Sequence, residues 1–423
     1  MTGGGLLGDL VAFAIALVLL GFILASDVRP RVKSLLVIGL LLRVVGSQLY
    51  YYLSEWLYGF GDYSTYYGTG LRWGQAFWTG TLDQFSSPYV HGWCCTGFMV
   101  RLSGLVLLVL GPAINGVFVI FALLGYVGII SLAVAFARSH PDVPLERYLI
   151  WIVLFPSLWY WPAALGKDAL VLAGVGLSVM GFIGHRGRTG WFPLIVGMAL
   201  VFAVRPQVAM VVVSSMMLAY WIGSDAAWTP SRIFQGVGLA VGGLALAVVA
   251  SNALGLHLFS PDEVQSYLDA RSATTAYGGS AVDVGGSGVF GILLGIVNVL
   301  FRPFPWEARG VAAAIASLEV TSLWVLVIWK WSDVKSFFLQ HRESRLLWFG
   351  IVFTALYVVL TGMALGNLGL IARQRIHVFP FFLMFLAGGK SVRPRSGPGT
   401  YANRGRSRLA PTALMTDATN PAP

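Results

Sequence analysis

Residues 50–93 read YYYLSEWLYGFGDYSTYYGTGLRWGQAFWTGTLDQFSSPYVHGW. Fifteen of these 44 positions are aromatic. The stretch lies between two hydrophobic segments and is itself too polar to cross a bilayer. Tyrosine and tryptophan gather at membrane interfaces, where one end of the ring is wet, and their faces stack on sugar rings. We therefore expect residues 55–93 to form an aromatic loop at the membrane surface. The remaining chain then reads as helices that place this loop and bring basic residues to it.

Composition agrees. The chain has 423 residues, of which 57% are hydrophobic and 11% charged, with mean hydropathy +0.75. Soluble domains carry about 25% charged residues. A span of about 20 apolar residues crosses a bilayer, and several are present. The expected class is all-α: a polytopic transmembrane helical protein of about 11 spans (range 10–12), with interfacial helices on its outer face. The spans fall at about residues 7–25, 34–53, 113–136, 148–164, 169–184, 191–204, 208–223, 236–256, 310–329, 346–366 and 377–388. Residues 1–10 lack the basic region of a secretory signal, so the first span is expected to be retained. The apolar segment 97–111 is short and closes on Gly111-Pro112, which suits a helix lying in the interface. Residues 1–388 thus form an integral membrane domain with outer loops 54–96 and 257–309. Residues 389–423, rich in Pro, Gly, Ser, Thr and Arg, are expected to be a disordered basic cytoplasmic tail. Cys94 and Cys95 are the only cysteines; they read as small buried side chains without metal-site spacing.

Basic residues favour the cytoplasmic side of a membrane. With the N-terminus outside, 18 basic residues fall inside and nine outside, and Arg43 lies within a span. Arg186 and Arg188 count among those inside. The aromatic loop, Lys167-Asp168, Arg205, the long connection and Arg373 then all face outward. Their convergence predicts one large outward-facing site.

Asp62 is the leading candidate there. A carboxylate at the interface can take a proton from a sugar hydroxyl as general base; alternatively it is a turn residue, since Gly-Asp is common in loops. Glu55 and Asp83 are weaker candidates in the same stretch. Lys167, Arg205, Arg302, Arg373 and Arg375 come from four separate outer segments. Arginine binds phosphate oxygens bidentately and keeps its charge, so these cations suit a lipid phosphate. The alternative is that each reaches lipid headgroups or pairs with an acid, such as Arg302 or Arg309 with Glu307. Phe301 to Glu307 reads as a stiff extended piece, either a lid or an elbow. Arg43 and Glu319 lie at similar depth in their spans, which permits an ion pair. The glycine-rich piece 278–288 lacks the strand and helix of a nucleotide loop. No His, Cys and carboxylate cluster has metal spacing.

The order of these features resembles the GT-C superfamily, the polytopic glycosyltransferases that use polyprenyl-linked sugars. Gly61-Asp62-Tyr63-Ser64-Thr65-Tyr66-Tyr67 looks like the Asp-bearing element of that family's first large outer loop. Gly97 to Gly104, running on to Gly111-Pro112, is similar to its interfacial helix. Phe155-Pro156-Ser157-Leu158-Trp159-Tyr160-Trp161 and Gly166-Lys167-Asp168-Ala169-Leu170 look like a proline-containing span whose acidic end opens the next helix. Arg205-Pro206 matches the tip of a helix hairpin. Phe301 to Glu307, and Asn367-Leu368-Gly369 through Arg373-Gln374-Arg375, are similar to membrane proteins of bacterial polysaccharide assembly.

The resemblance implies a donor sugar on polyprenyl phosphate or diphosphate and a cell-envelope glycan or lipid as acceptor. Asp62 would be the base. Lys167, Asp168, Arg205, Arg302, Arg373 and Arg375 would serve the phosphate, and Tyr63, Tyr66, Tyr67 and Trp306 would stack on sugar. It allows metal-independent transfer; no metal, cofactor or nucleic acid is expected, and membrane lipids surround the chain. Two other classes remain open: a repeat-unit polymerase or ligase using lipid diphosphates, and a lipid or glycan transporter without chemistry. A scaffold is disfavoured by the small soluble surface.

Overall fold

The computed structural model describes residues 3–59, 61–90, 92–184, 190–223, 230–255, 261–276, 281–282 and 289–388. The expectations for the tail, for Arg186 and Arg188, and for most of the glycine-rich piece lie outside these residues. Among the described residues, seven helices are long and apolar enough to cross a bilayer: Gly3–Ala25, Pro30–Tyr58, Ile114–Ser139, Lys167–Gly184, Pro230–Leu254, Val311–Trp329 and Arg345–Ala364. An eighth is a pair bent by 56°, Leu368–His377 with Phe379–Ala387. Four apolar helices are shorter: Thr96–Leu110, Trp191–Val204, Pro206–Ile222 and Val289–Leu300. Among the described residues there is no β-strand, only an isolated bridge between Ala281 and Asn367. This is the architecture of a membrane-embedded helical protein.

The centre is Ile114–Ser139, buried on most of its surface, packed against Lys167–Gly184. The two backbones touch because the contact is glycine on glycine: a Cβ on Gly176 would lie 2.8 Å from Gly128 Cα. Helices at the periphery, such as Gly3–Ala25 and Pro230–Leu254, keep apolar side chains exposed, as helices facing lipid do.

Several segments differ from expectation. The span expected over 148–164 is broken. Helix Leu145–Leu154 stops at Phe155, and Pro156 opens a separate short helix, Pro156–Tyr160. Proline lacks an N–H and pushes the preceding residue out of helical geometry. The break leaves the Ser157 amide free to donate, and Glu319 accepts it at 2.7 Å along with the Ser157 hydroxyl. Glu319 is therefore not the partner of Arg43. Arg43 is buried, and neither terminal nitrogen of its guanidinium has a hydrogen-bond partner.

The aromatic stretch is largely helical, not a loop. Helix Pro30–Tyr58 runs further than expected and stops where Gly59 takes φ +66, a left-handed cap suited to glycine. A new helix, Asp62–Trp78, starts at once. It buries Tyr63, Tyr66, Thr69, Gly70, Trp73 and Gly74, and packs closely on Thr96–Leu110. That seam also rests on glycine. A Cβ on Gly104 would lie 2.6 Å from the Trp73 ring and 2.7 Å from the Gly70 carbonyl. Gly104→Val should force the two helices apart, at a cost of about 1–3 kcal/mol typical of overpacking. Lowered thermal stability in detergent together with lost function is the expected result; an unchanged melt would mean that the seam is loose.

The long connection 257–309 also holds helices, Pro261–Thr275 and Val289–Leu300, and a 3-10 turn, Pro305–Glu307.

Candidate functional site

Four helices begin at one place. Asp62 opens Asp62–Trp78, Thr96 opens Thr96–Leu110, Lys167 opens Lys167–Gly184, and Gln207 is the second residue of Pro206–Ile222. All four residues line a single cavity of about 590 Å³. A helix N-terminus presents unsatisfied N–H groups and the positive end of its dipole. Convergence of such ends makes a place for an anion.

Side chains add to that field. Lys167, Arg205, Arg271 and Arg373 line the cavity, and among the described residues Asp62 is the one carboxylate in its wall. Behind the wall stands Asp168, 1% exposed, in the first turn of its helix. Its Oδ1 accepts from Arg205 Nη2 at 2.9 Å and its Oδ2 from Arg373 Nε. His377 Nε2 lies 3.5 Å from Oδ1 and 3.4 Å from Arg205 Nη1. Asp168 therefore fixes two guanidiniums and is not itself in the cavity wall.

Arg373 is shared. While Nε holds Asp168, its Nη1 donates to Asp62 Oδ2 at 3.2 Å. Asp62 is 60% exposed against 13% for Arg373, so this second contact is the solvent-facing one. Lys167 Nζ donates to the Thr96 hydroxyl at 3.2 Å.

Local sequence explains these placements. Pro206, with no N–H to lose, starts its helix and leaves Arg205 at the hairpin tip. Asn367 Oδ1 accepts from the Gly369 and Leu370 amides at 2.9 and 3.2 Å. That cap starts the helix Leu368–Gln374, which carries Arg373.

One part of the wall is apolar: Val208, Ala253, Leu254, Leu360, Ala364 and Leu365. The rest is polar and aromatic. Tyr66 lines it, and burial, with Asp62 nearby, holds its phenol well above the ordinary range. Cys95 also lines it and is half-buried, not buried as expected. Burial and the neighbouring Cys94 push its thiol up to about 12, so it stays protonated near neutral pH. Among the described residues no group of three or more His, Cys, Asp or Glu side chains could hold a metal ion.

Of the residues singled out from the sequence, Asp62, Tyr66, Lys167, Arg205 and Arg373 meet at the cavity, with Asp168 directly behind. The others stand apart from its wall. Arg302 is bound bidentately by Glu307, with Nε to oxygen distances of 2.9 and 3.0 Å, and also donates to Asn298. The guanidinium holds the Glu307 carboxyl below its usual range. Arg375 is buried and donates to the Arg302 carbonyl. Trp306 stacks on Phe304 and is otherwise exposed. Tyr63 donates to Glu55 at 2.6 Å, and Tyr67 to the Pro112 carbonyl at 3.0 Å. Both are anchors of the helix Asp62–Trp78.

Sequence reasoning missed Arg271, Gln207, Tyr267, Tyr357 and Gln374 in the wall. A signal existed for Arg271. Pro261-Asp262-Glu263, with proline and acids in a first turn, marks a helix start, so residue 271 falls on a helix instead of a slack linker.

Compared with known family profiles, curated proteins and solved structures, the chain matches none.

Proposed function

We propose that this chain is a membrane glycosyltransferase of the GT-C kind. It transfers a sugar from a polyprenyl-phosphate-linked donor to a cell-envelope glycan or lipid acceptor on the outer face of the membrane. One observation carries the reading. The exposed carboxylate Asp62 shares a cavity with four cations, and one cation, Arg373, touches it. A phosphate held by Arg373 and Arg205 therefore lies beside a group able to accept a proton.

In the transfer, the acceptor hydroxyl oxygen attacks the anomeric carbon. The bond from that carbon to the phosphate oxygen breaks, and its electron pair leaves with the phosphate. The hydroxyl proton passes to Asp62. Arg205, Arg373 and the helix N-termini are aimed at the oxygen where negative charge grows, which is electrostatic stabilisation by fixed groups. They need no reorientation, because Asp168 already holds both guanidiniums. The apolar wall suits the first units of the lipid, and the half-buried Tyr267 offers a face for sugar.

The second reading, a polymerase or ligase of lipid-diphosphate-linked repeat units, is favoured by the number of cations against one exposed carboxylate. A transporter is favoured less, since the charges gather at one cavity instead of along a path.

The test uses the purified chain in proteoliposomes with lipid-linked sugars and envelope glycans from the cells that make it. The expected result is one polyprenyl phosphate or diphosphate released per sugar transferred. Movement of the donor across the bilayer without release would favour transport and contradict the proposal.

A further inference from the structure

The cavity carries more positive charge than one phosphate requires. Arg205 and Arg373 are tied to Asp168. Lys167, in contrast, is held by the neutral hydroxyl of Thr96. Arg271 pairs with no carboxylate among the described residues, yet its place is set. Its helix, Pro261–Thr275, is pinned at the C-terminal end, where the Gly366 amide donates to the Thr275 hydroxyl at 2.9 Å. The chain beyond returns to the same point, and the Val282 amide donates to the Gly366 carbonyl at 2.9 Å. Among the described residues, four lysine and arginine side chains thus face two carboxylates, Asp62 and Asp168. Two positive charges are left over among these groups. A sugar joined to a lipid through one phosphate carries one negative charge at neutral pH; through a diphosphate it carries two.

We infer that the donor is a lipid diphosphate, and that Lys167 and Arg271, beside the N-terminus of Thr96–Leu110, form the subsite for its second phosphate. The inference rests on the glycosyltransferase reading and specifies its substrate. The phosphate bonded to sugar meets Arg373 and Arg205, since Arg373 also touches Asp62. The phosphate bonded to lipid meets Lys167 and Arg271. When the bond to the anomeric carbon breaks, polyprenyl diphosphate departs with one added negative charge, and the proton remains on Asp62. Lys167 and Arg271 therefore set specificity and grip the leaving group without touching the reacting carbon.

The experiment measures binding to the full-length chain in nanodiscs at fixed ionic strength. The probes are farnesyl diphosphate, farnesyl monophosphate and inorganic diphosphate, the first two being shortened forms of the alternative leaving groups. Farnesyl diphosphate should bind at least about tenfold more tightly than the monophosphate, as expected for an added charge-assisted contact. Arg271→Gln and Lys167→Gln should each weaken the diphosphate about tenfold and the monophosphate less than about threefold. Arg271 is exposed, so its replacement leaves the fold intact. Equal affinity of wild type for the two farnesyl probes, or equal weakening of both by Arg271→Gln, would overturn the inference while leaving a lipid-phosphate donor in place. Inorganic diphosphate binding as tightly as farnesyl diphosphate would overturn the lipid part. Failure of all three probes to bind would remove the inference and the glycosyltransferase reading together.

Discussion

Asp62→Asn is expected to lower sugar transfer by about 10³-fold, within the range for loss of a general base, while leaving the folded protein intact. The change keeps the shape of the side chain and removes its negative charge and its ability to accept a proton. Asp62 is 60% exposed and its contact with Arg373 faces solvent, and such surface changes alter stability by about 0.5 kcal/mol or less. The measurement pairs turnover in nanodiscs with a thermal melt. Donor affinity should hold or rise, because Arg373 loses a competing carboxylate. Turnover within about threefold of wild type would reduce Asp62 to an acidic residue favoured at a helix start, where the dipole alone explains it.

Asp168→Ala is expected to act in the opposite way, through the fold. Asp168 is almost wholly buried and pairs with Arg205 and Arg373 at once. Its removal leaves Arg205 with no carboxylate partner among the described residues and Arg373 with only the solvent-facing Asp62. Breaking a buried pair by removing one partner costs about 3–5 kcal/mol. We expect low yield and a sharply lowered melting temperature in detergent. Asp168→Asn keeps the volume and some hydrogen bonding, so it should fall between Ala and wild type. A melt for Asp168→Ala that matches wild type would mean that water, not Asp168, solvates the two arginines. Taken together, the two carboxylates separate by what they do: Asp62 affects rate with little effect on stability, and Asp168 affects stability first.

Much of this arrangement is legible in the sequence because it depends on helix starts and on charge. Gly59, Gly61-Asp62, Gly166-Lys167-Asp168 and Arg205-Pro206 each mark a boundary by local backbone chemistry. The positive-inside pattern groups the segments that meet at the cavity. The helix Asp62–Trp78 was hidden by its composition: glycine, threonine and tyrosine are weak helix formers, and the stretch is too polar to resemble a span. Its buried positions Tyr63, Tyr66, Gly70 and Trp73 recur every three or four residues, and the exposed Phe77 stacks on Trp73. That period was the available signal.

Pairing was less legible. Arg302 and Arg375 resemble Arg205 and Arg373 in composition and context, yet only the second pair reaches Asp168. Arg302 is claimed by Glu307, five residues away, through a turn that brings the two together. Arg43 and Glu319 show the limit of reasoning by depth. Similar depth permitted a pair, but the helix break at Pro156 supplied Glu319 with closer donors.

The most direct measurement of the central claim is the surface-glycan profile of cells carrying wild type, Asp62→Asn or no copy, at matched membrane expression. The expectation is that Asp62→Asn reproduces the deletion, and that both give a glycan missing one sugar with its chain-length distribution otherwise normal. Wild-type glycans from Asp62→Asn would contradict it, and collapse of the long chains to single repeat units would assign the cavity to polymerisation.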